Sequence, residues 1–72
     1  MNLCRFDLMP LDGYYLVRKQ EEVWSYGEER RRFRFLRQWD YCETWEADPD
    51  MATKFTRVDG HARVFALTMC EV

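Results

Sequence analysis

Arg30-Arg31-Arg32-Phe33-Arg34-Phe35-Leu36-Arg37-Gln38-Trp39-Asp40-Tyr41-Cys42-Glu43-Thr44-Trp45-Glu46 carries five arginines in its first eight positions, interleaves them with aromatic rings, and then turns acidic. Nothing else in the 72-residue chain is so patterned. Read with period two, Phe33, Phe35, Trp39 and Tyr41 share one face, interrupted by Arg37. Arg32, Arg34, Gln38 and Asp40 share the other, with Leu36 and Cys42 among them. Such alternation marks a strand with one face on a core and one toward water. Aromatic residues also suit a pleated, half-buried surface. A helical reading aligns Phe33 with Leu36 but scatters Phe35 and Trp39 outward. The stretch is read as a strand, and it sets the class: a mainly β domain, a small single antiparallel sheet or partly open barrel of about five strands. The alternative is an α+β arrangement with one helix near residues 49–58 packed on the sheet.

Toward the N-terminus, Asn2–Met9 alternates Cys4, Phe6 and Leu8 with Arg5 and Asp7, and Pro10 is expected to end this first strand because it lacks an amide donor. Leu11-Asp12-Gly13 supplies a turn. The next run, Tyr14–Lys19, has no polar residue before Arg18 and reads as a central strand. Gln20-Glu21-Glu22 reads as a polar break, Val23–Tyr26 as a short strand, and Gly27-Glu28-Glu29 as the turn into the arginine stretch. A helix from Tyr15 to Arg32 competes with this, but Gly27 inside it would cost about 1 kcal/mol.

Toward the C-terminus, Asp48-Pro49-Asp50 is a helix-start signal, and Met51, Phe55 and Val58 keep helical spacing up to Gly60. Asp59-Gly60 is also a two-residue hairpin signal between Phe55–Val58 and Ala62–Leu67. The hairpin is preferred. Ala62–Met69 is apolar on both faces and is expected to be a central strand.

Seventy-two residues are expected to form one domain, residues 1–72, without repeat or linker. A core of that size is marginal, and three Trp, four Tyr and five Phe offer aromatic packing as the supplement. The net charge of −2 conceals an asymmetry: residues 1–37 hold eight basic side chains against six acidic, residues 38–72 three against seven. Cys4, Cys42 and Cys70 form an odd set with no secretory signal ahead of them, so reduced thiols and a cytoplasmic setting are expected. No stretch reaches the length of a membrane span.

Catalytic motifs do not appear. His61 is the only histidine, and the cysteines lack CxxC spacing, so neither a metal site nor a cofactor is expected. Glu28-Glu29 and the pair Glu43 and Glu46 are acidic neighbours, but a chain this small rarely builds the pocket that splits two carboxylate pKa values. A Cys42–His61 dyad would have no evident orienting group. The expectation is a non-enzymatic protein-binding domain, an inhibitor of the kind phages and mobile elements direct at a host protein or complex. Its contact residues are expected among Arg32, Arg34, Arg37, Trp39, Glu43, Trp45 and Glu46, because Trp and Arg are the common anchors of interfaces. The acidic run from Asp40 to Asp50 suggests a partner with a basic, nucleic-acid-binding groove. Two alternatives stand beside this. One is a nucleic-acid-binding module using Arg30–Arg37, disfavoured by the sequence pI of about 5.3. The other is a structural subunit that forms homo-oligomers through a strand edge.

Overall fold

Two-residue turns set the topology. Asp12-Gly13, Tyr26-Gly27 and Asp40-Tyr41 join successive strands, with positive φ at Asp12 (47°), Gly13 (83°), Tyr26 (54°), Gly27 (77°) and Asp40 (49°). Left-handed backbone at both central residues matches the twist of the flanking strands, so a glycine completes each of the first two turns. The computed structural model describes residues 4–70, with only the backbone considered at Trp24, Ser25 and Glu29. In chain order these form β1 (Cys4–Leu11), β2 (Tyr14–Ser25), β3 (Glu28–Trp39), β4 (Cys42–Glu46), a 3-10 turn (Pro49–Met51) and α1 (Arg57–Cys70). The fold is mainly β: one open antiparallel sheet of four strands, in the order β1-β2-β3-β4, with a single helix packed on it.

The arginine stretch is a strand, as its alternation requires, but it stops at Trp39 because Asp40-Tyr41 is the turn. Several local expectations are corrected. β2 runs straight through Gln20-Glu21-Glu22, since Glu21 lies opposite Arg32 and Glu22 opposite Arg31. Opposite charges facing across strands support the pairing that the polar run alone disfavours. Val23–Ser25 is therefore the end of β2 rather than a strand of its own, and the sheet has four strands, not five. The turn is Tyr26-Gly27, with Glu28 and Glu29 already in β3. Pro10 sits inside β1, opposite Tyr15, and is tolerated because β1 is an edge strand. Asn2 lies outside the described residues.

The largest correction is at the C-terminal end. Ala62–Met69 is helix, and Asp59-Gly60 is the first turn of α1 rather than a hairpin. Asp48-Pro49-Asp50 opens only the short 3-10 turn, where the Asp48 carboxylate accepts the Asp50 N–H at 2.9 Å. The helix start is Thr56: its Oγ1 accepts the Asp59 N–H at 3.2 Å, and its carbonyl accepts the Gly60 N–H at 2.8 Å. Gly60 serves packing rather than a turn. A Cβ there would lie 2.8 Å from Leu8 Cδ2, so its absence lets the helix settle onto β1.

Between β4 and α1 the chain returns to the middle of the sheet. β2 and β3 pair only as far as Arg18 opposite Phe35. Beyond that point they part, and residues 53–55 fill the gap. Tyr15 and Phe55 exchange backbone hydrogen bonds of 2.9 and 2.8 Å. Thr53 N–H donates to the Leu36 carbonyl at 3.0 Å, and Thr53 Oγ1 accepts from Gln38 N–H at 2.7 Å while donating to its carbonyl at 3.1 Å. One threonine thus supplies the ladder partners that β2 no longer provides.

The core has two sides. On the helix side, Val17 and Leu36 are fully buried, with Leu8 and Gly60 at the contact with α1. The Phe6 and Trp45 rings lie 5.8 Å apart although β2 and β3 run between their strands. Across a flat sheet three strand spacings would separate them by about 14 Å. The sheet is therefore curled, with β1 and β4 drawn toward each other over the helix side. On the opposite side Leu16 and Phe35 are buried, while Phe33 and Trp39 remain 42% exposed. The face expected to look toward water, that of Leu36, is thus the one that α1 covers.

Candidate functional site

β3 divides into two halves with different surroundings. Its first half, Glu28–Arg34, lies beyond the reach of β4, which pairs only with Phe35–Trp39. Among the described residues the outer edge of this half has no strand partner. Arg30, Arg31, Arg32 and Arg34 all lie there, and charge on an open edge discourages another strand from adding to it. Glu28 pairs with Arg30 at 3.4 Å, and Glu21 receives both Arg32, with Nε at 3.0 Å, and Lys19, at 2.9 Å. Lys19 and then Arg32 hold the Glu21 carboxyl below the usual carboxylate range. Arg31 and Arg34 have no ion-pair partner among the described residues.

The second half of β3 ends at the rim formed by the Asp12-Gly13 and Asp40-Tyr41 turns. Here, on the face away from α1, the Arg37 guanidinium lies 4.7 Å from the Trp39 ring centre and 3.9 Å from the Glu46 carboxylate. Across the gap filled by residues 53–55, the Lys54 ammonium lies 5.7 Å from the Tyr14 ring centre. Tyr41 projects from its turn with full exposure, Tyr14 is 50% exposed, and Met51 is 46% exposed. The rim therefore gathers three large aromatic residues and two cations that are bound to neither core nor strong ion pair. Farther along the same face, Arg18 covers Phe33 at 5.2 Å from its centre. Asp7 fixes Arg18 through two hydrogen bonds of 2.8 Å and takes a third from Gln20 at 2.7 Å. The bond from Arg18 is the main cause that lowers the Asp7 pKa, against the opposing effect of its partial burial.

The seven expected contact residues are not brought together. Arg37, Trp39 and Glu46 share the face away from α1. Arg32, Arg34, Glu43 and Trp45 lie on the other. Glu43 forms an ion pair with Arg63 of α1, and Trp45 is half-buried against Phe6 with the Lys19 ammonium 4.6 Å from its ring centre. The acidic run is likewise divided: Glu43 and Glu46 face arginines, Asp48 caps the 3-10 turn, and Asp40 sits in the β-turn. Tyr14, Tyr41 and Lys54 were missed. Tyr41 carried a legible signal, since an aromatic residue in a two-residue turn has no core to enter. Tyr14 and Lys54 did not, because only the return of residues 53–55 places them side by side.

A cleft of about 290 Å³ opens at the other end of the sheet, lined by Cys4, Arg5, Gln20, Glu21, Glu22 and Arg31. Its charges are mixed. Cys4, Cys42 and Cys70 are free thiols, and among the described residues no three His, Cys, Asp or Glu side chains converge as a metal site would require. No helix among the described residues is long and apolar enough to cross a membrane. No family model matches the chain, and no curated protein or solved structure matches it either.

Proposed function

We propose that the chain is a non-catalytic protein-binding domain of the inhibitor type, and that it meets its partner with the rim built by Arg37, Trp39 and Tyr41 together with Tyr14 and Lys54. One observation carries this reading: the Arg37 guanidinium lies over the Trp39 ring at an exposed end of the sheet, with only the long 3.9 Å contact to Glu46 as a further partner. A flat aromatic ring held by a guanidinium loses little side-chain freedom on binding and buries a large area, which is how Trp, Tyr and Arg anchor interfaces. Two tyrosines beside them extend the same chemistry. The arginines of the first half of β3 support a nucleic-acid partner less well, because an open strand edge accounts for charge there and two of the four, Arg30 and Arg32, are paired with Glu28 and Glu21.

The test is affinity capture from a bacterial lysate with the tagged protein, with and without nuclease, beside an Arg37→Ala, Trp39→Ala double variant whose fold is checked by circular dichroism. One or two stoichiometric proteins that survive nuclease and are lost with the folded double variant are the expected outcome. A nuclease-sensitive spread of nucleoproteins, or capture that ignores the double substitution, overturns the proposal.

A further inference from the structure

α1 is apolar on two sides. Gly60, Val64 and Leu67 turn toward the sheet, with Gly60 buried. On the opposite side Val58 is 77% exposed, Phe65 68% and Met69 59%, with exposed Ala62 completing the row. The spacing of Val58, Ala62, Phe65 and Met69 is four, three, four. That is the seam along which two helices interlock, and it has no counterpart on an ordinary solvated helix face.

From this row we infer that α1 is a self-association surface and that its occupant is α1 of a second copy of the chain, running antiparallel. The volumes argue for it. A two-fold axis between Ala62 and Phe65 sets Ala62 against Phe65 of the other copy, and Val58 against Met69. The small side chain then receives the large ring, and each contact occurs twice, as an isologous interface requires. Charge argues the same way. In this register Asp59 faces Thr68, His61 faces Ala66 and Arg57 faces Cys70, so no like charges meet. A parallel pairing would bring the two Asp59 side chains together and align the helix dipoles unfavourably. The flanks carry too few charges to favour a strongly charged partner.

Area fixes the strength. The three large side chains offer on the order of 400 Å² per copy, the size at which an exposed patch on a monomer is commonly functional. Two such patches bury about 800 Å² in total at most, below the standard range of specific interfaces, so the contact is a weak, transient one. A reversible dimer that dissociates in the micromolar range is expected, not a permanent one.

Sedimentation equilibrium of the whole protein, from about 5 to 500 µM, tests this. The weight-average mass should climb from 8.9 kDa toward twice that value. Phe65→Glu should weaken association at least about tenfold while leaving the circular dichroism unchanged, since Phe65 takes little part in the monomer core. The register has its own test. Ala62→Phe alone should weaken association, and Ala62→Phe with Phe65→Ala should restore it, because the two positions face each other. A monomer at every concentration, or a dimer indifferent to Phe65→Glu, overturns the inference. Failure of the swapped pair to recover overturns the antiparallel register.

Discussion

Gly60 shows how a single missing atom can misdirect a reading of sequence. Next to Asp59 it has the form of a hairpin turn, yet it lies in a helix, where glycine suits the site because Leu8 occupies the space a Cβ would need. Ala is favoured over Gly inside a helix by about 1 kcal/mol, whereas crowding a packed site costs about 1–3 kcal/mol. In the parent protein these offset each other, so Gly60→Ala should change stability little. In a Leu8→Ala background the obstruction is gone, and the same substitution should stabilise by about 1 kcal/mol. Urea unfolding of the four proteins of this cycle measures the coupling, and equal effects in both backgrounds would refute the role given to Leu8. The carboxyls of Asp7 and Glu21 make a second prediction at this scale. Both are held below their ordinary pKa in the fold, Asp7 chiefly by Arg18 and Glu21 chiefly by Lys19. Their contribution is present above the unfolded-state values, near pH 4, and is lost as the pH falls through the folded ones. Asp7 and Arg18 are about one-third exposed, so solvent screening keeps the pair's share below about 1 kcal/mol. Asp7→Asn should flatten the decline of stability as the pH falls below the ordinary carboxylate range in a denaturation series. An unchanged slope would count against the pairing.

Elements were legible where period and turn chemistry agreed. The alternation at Arg32–Phe35 and the Asp12-Gly13 turn both identify structure correctly, since each is a local property. Gln20-Glu21-Glu22 could not be read as strand, because its support lies across the ladder in Arg31 and Arg32. α1 was hidden for another reason. A helix with one apolar face on the sheet and a second face exposed shows no polar stripe, and that double pattern is what a buried strand also displays. Thr53 and Tyr26 bring predictions to this scale. Thr53→Val removes a hydroxyl that serves both the N–H and the carbonyl of Gln38. Because Gln38 is exposed and water can replace the lost bonds, the cost should be about 1 kcal/mol, the low end for a severed pair. Tyr26 holds φ at 54° with its ring wholly in solvent, in a turn that favours Asn before Gly. Tyr26→Asn should therefore stabilise by about 0.5–1 kcal/mol in thermal unfolding. Destabilisation would mean that the ring has a partner within the chain.

In the whole molecule the rim and the helix seam lie on opposite sides of one sheet. Arg37 and Trp39 project from the face away from α1, while Val58, Phe65 and Met69 project from the helix beyond the other face. Neither surface shares a side chain with the other, and substitutions in them should act independently on the fold. Their effects on binding should not be independent. A dimer joined through α1 carries its two rims back to back, so it can bridge two partner molecules, but it cannot set both rims on one flat surface. The expected pattern has three parts. Arg37→Ala with Trp39→Ala abolishes capture by soluble and by immobilised partner alike. Phe65→Glu leaves the affinity for soluble partner unchanged within about twofold, yet abolishes the capture of a second partner molecule by protein already bound to a first. Surface plasmon resonance with sparse immobilised partner, then this protein, then soluble partner separates these cases: a second partner layer that persists in Phe65→Glu would uncouple bridging from the helix seam, and one that vanishes would tie the two surfaces into a single bivalent device.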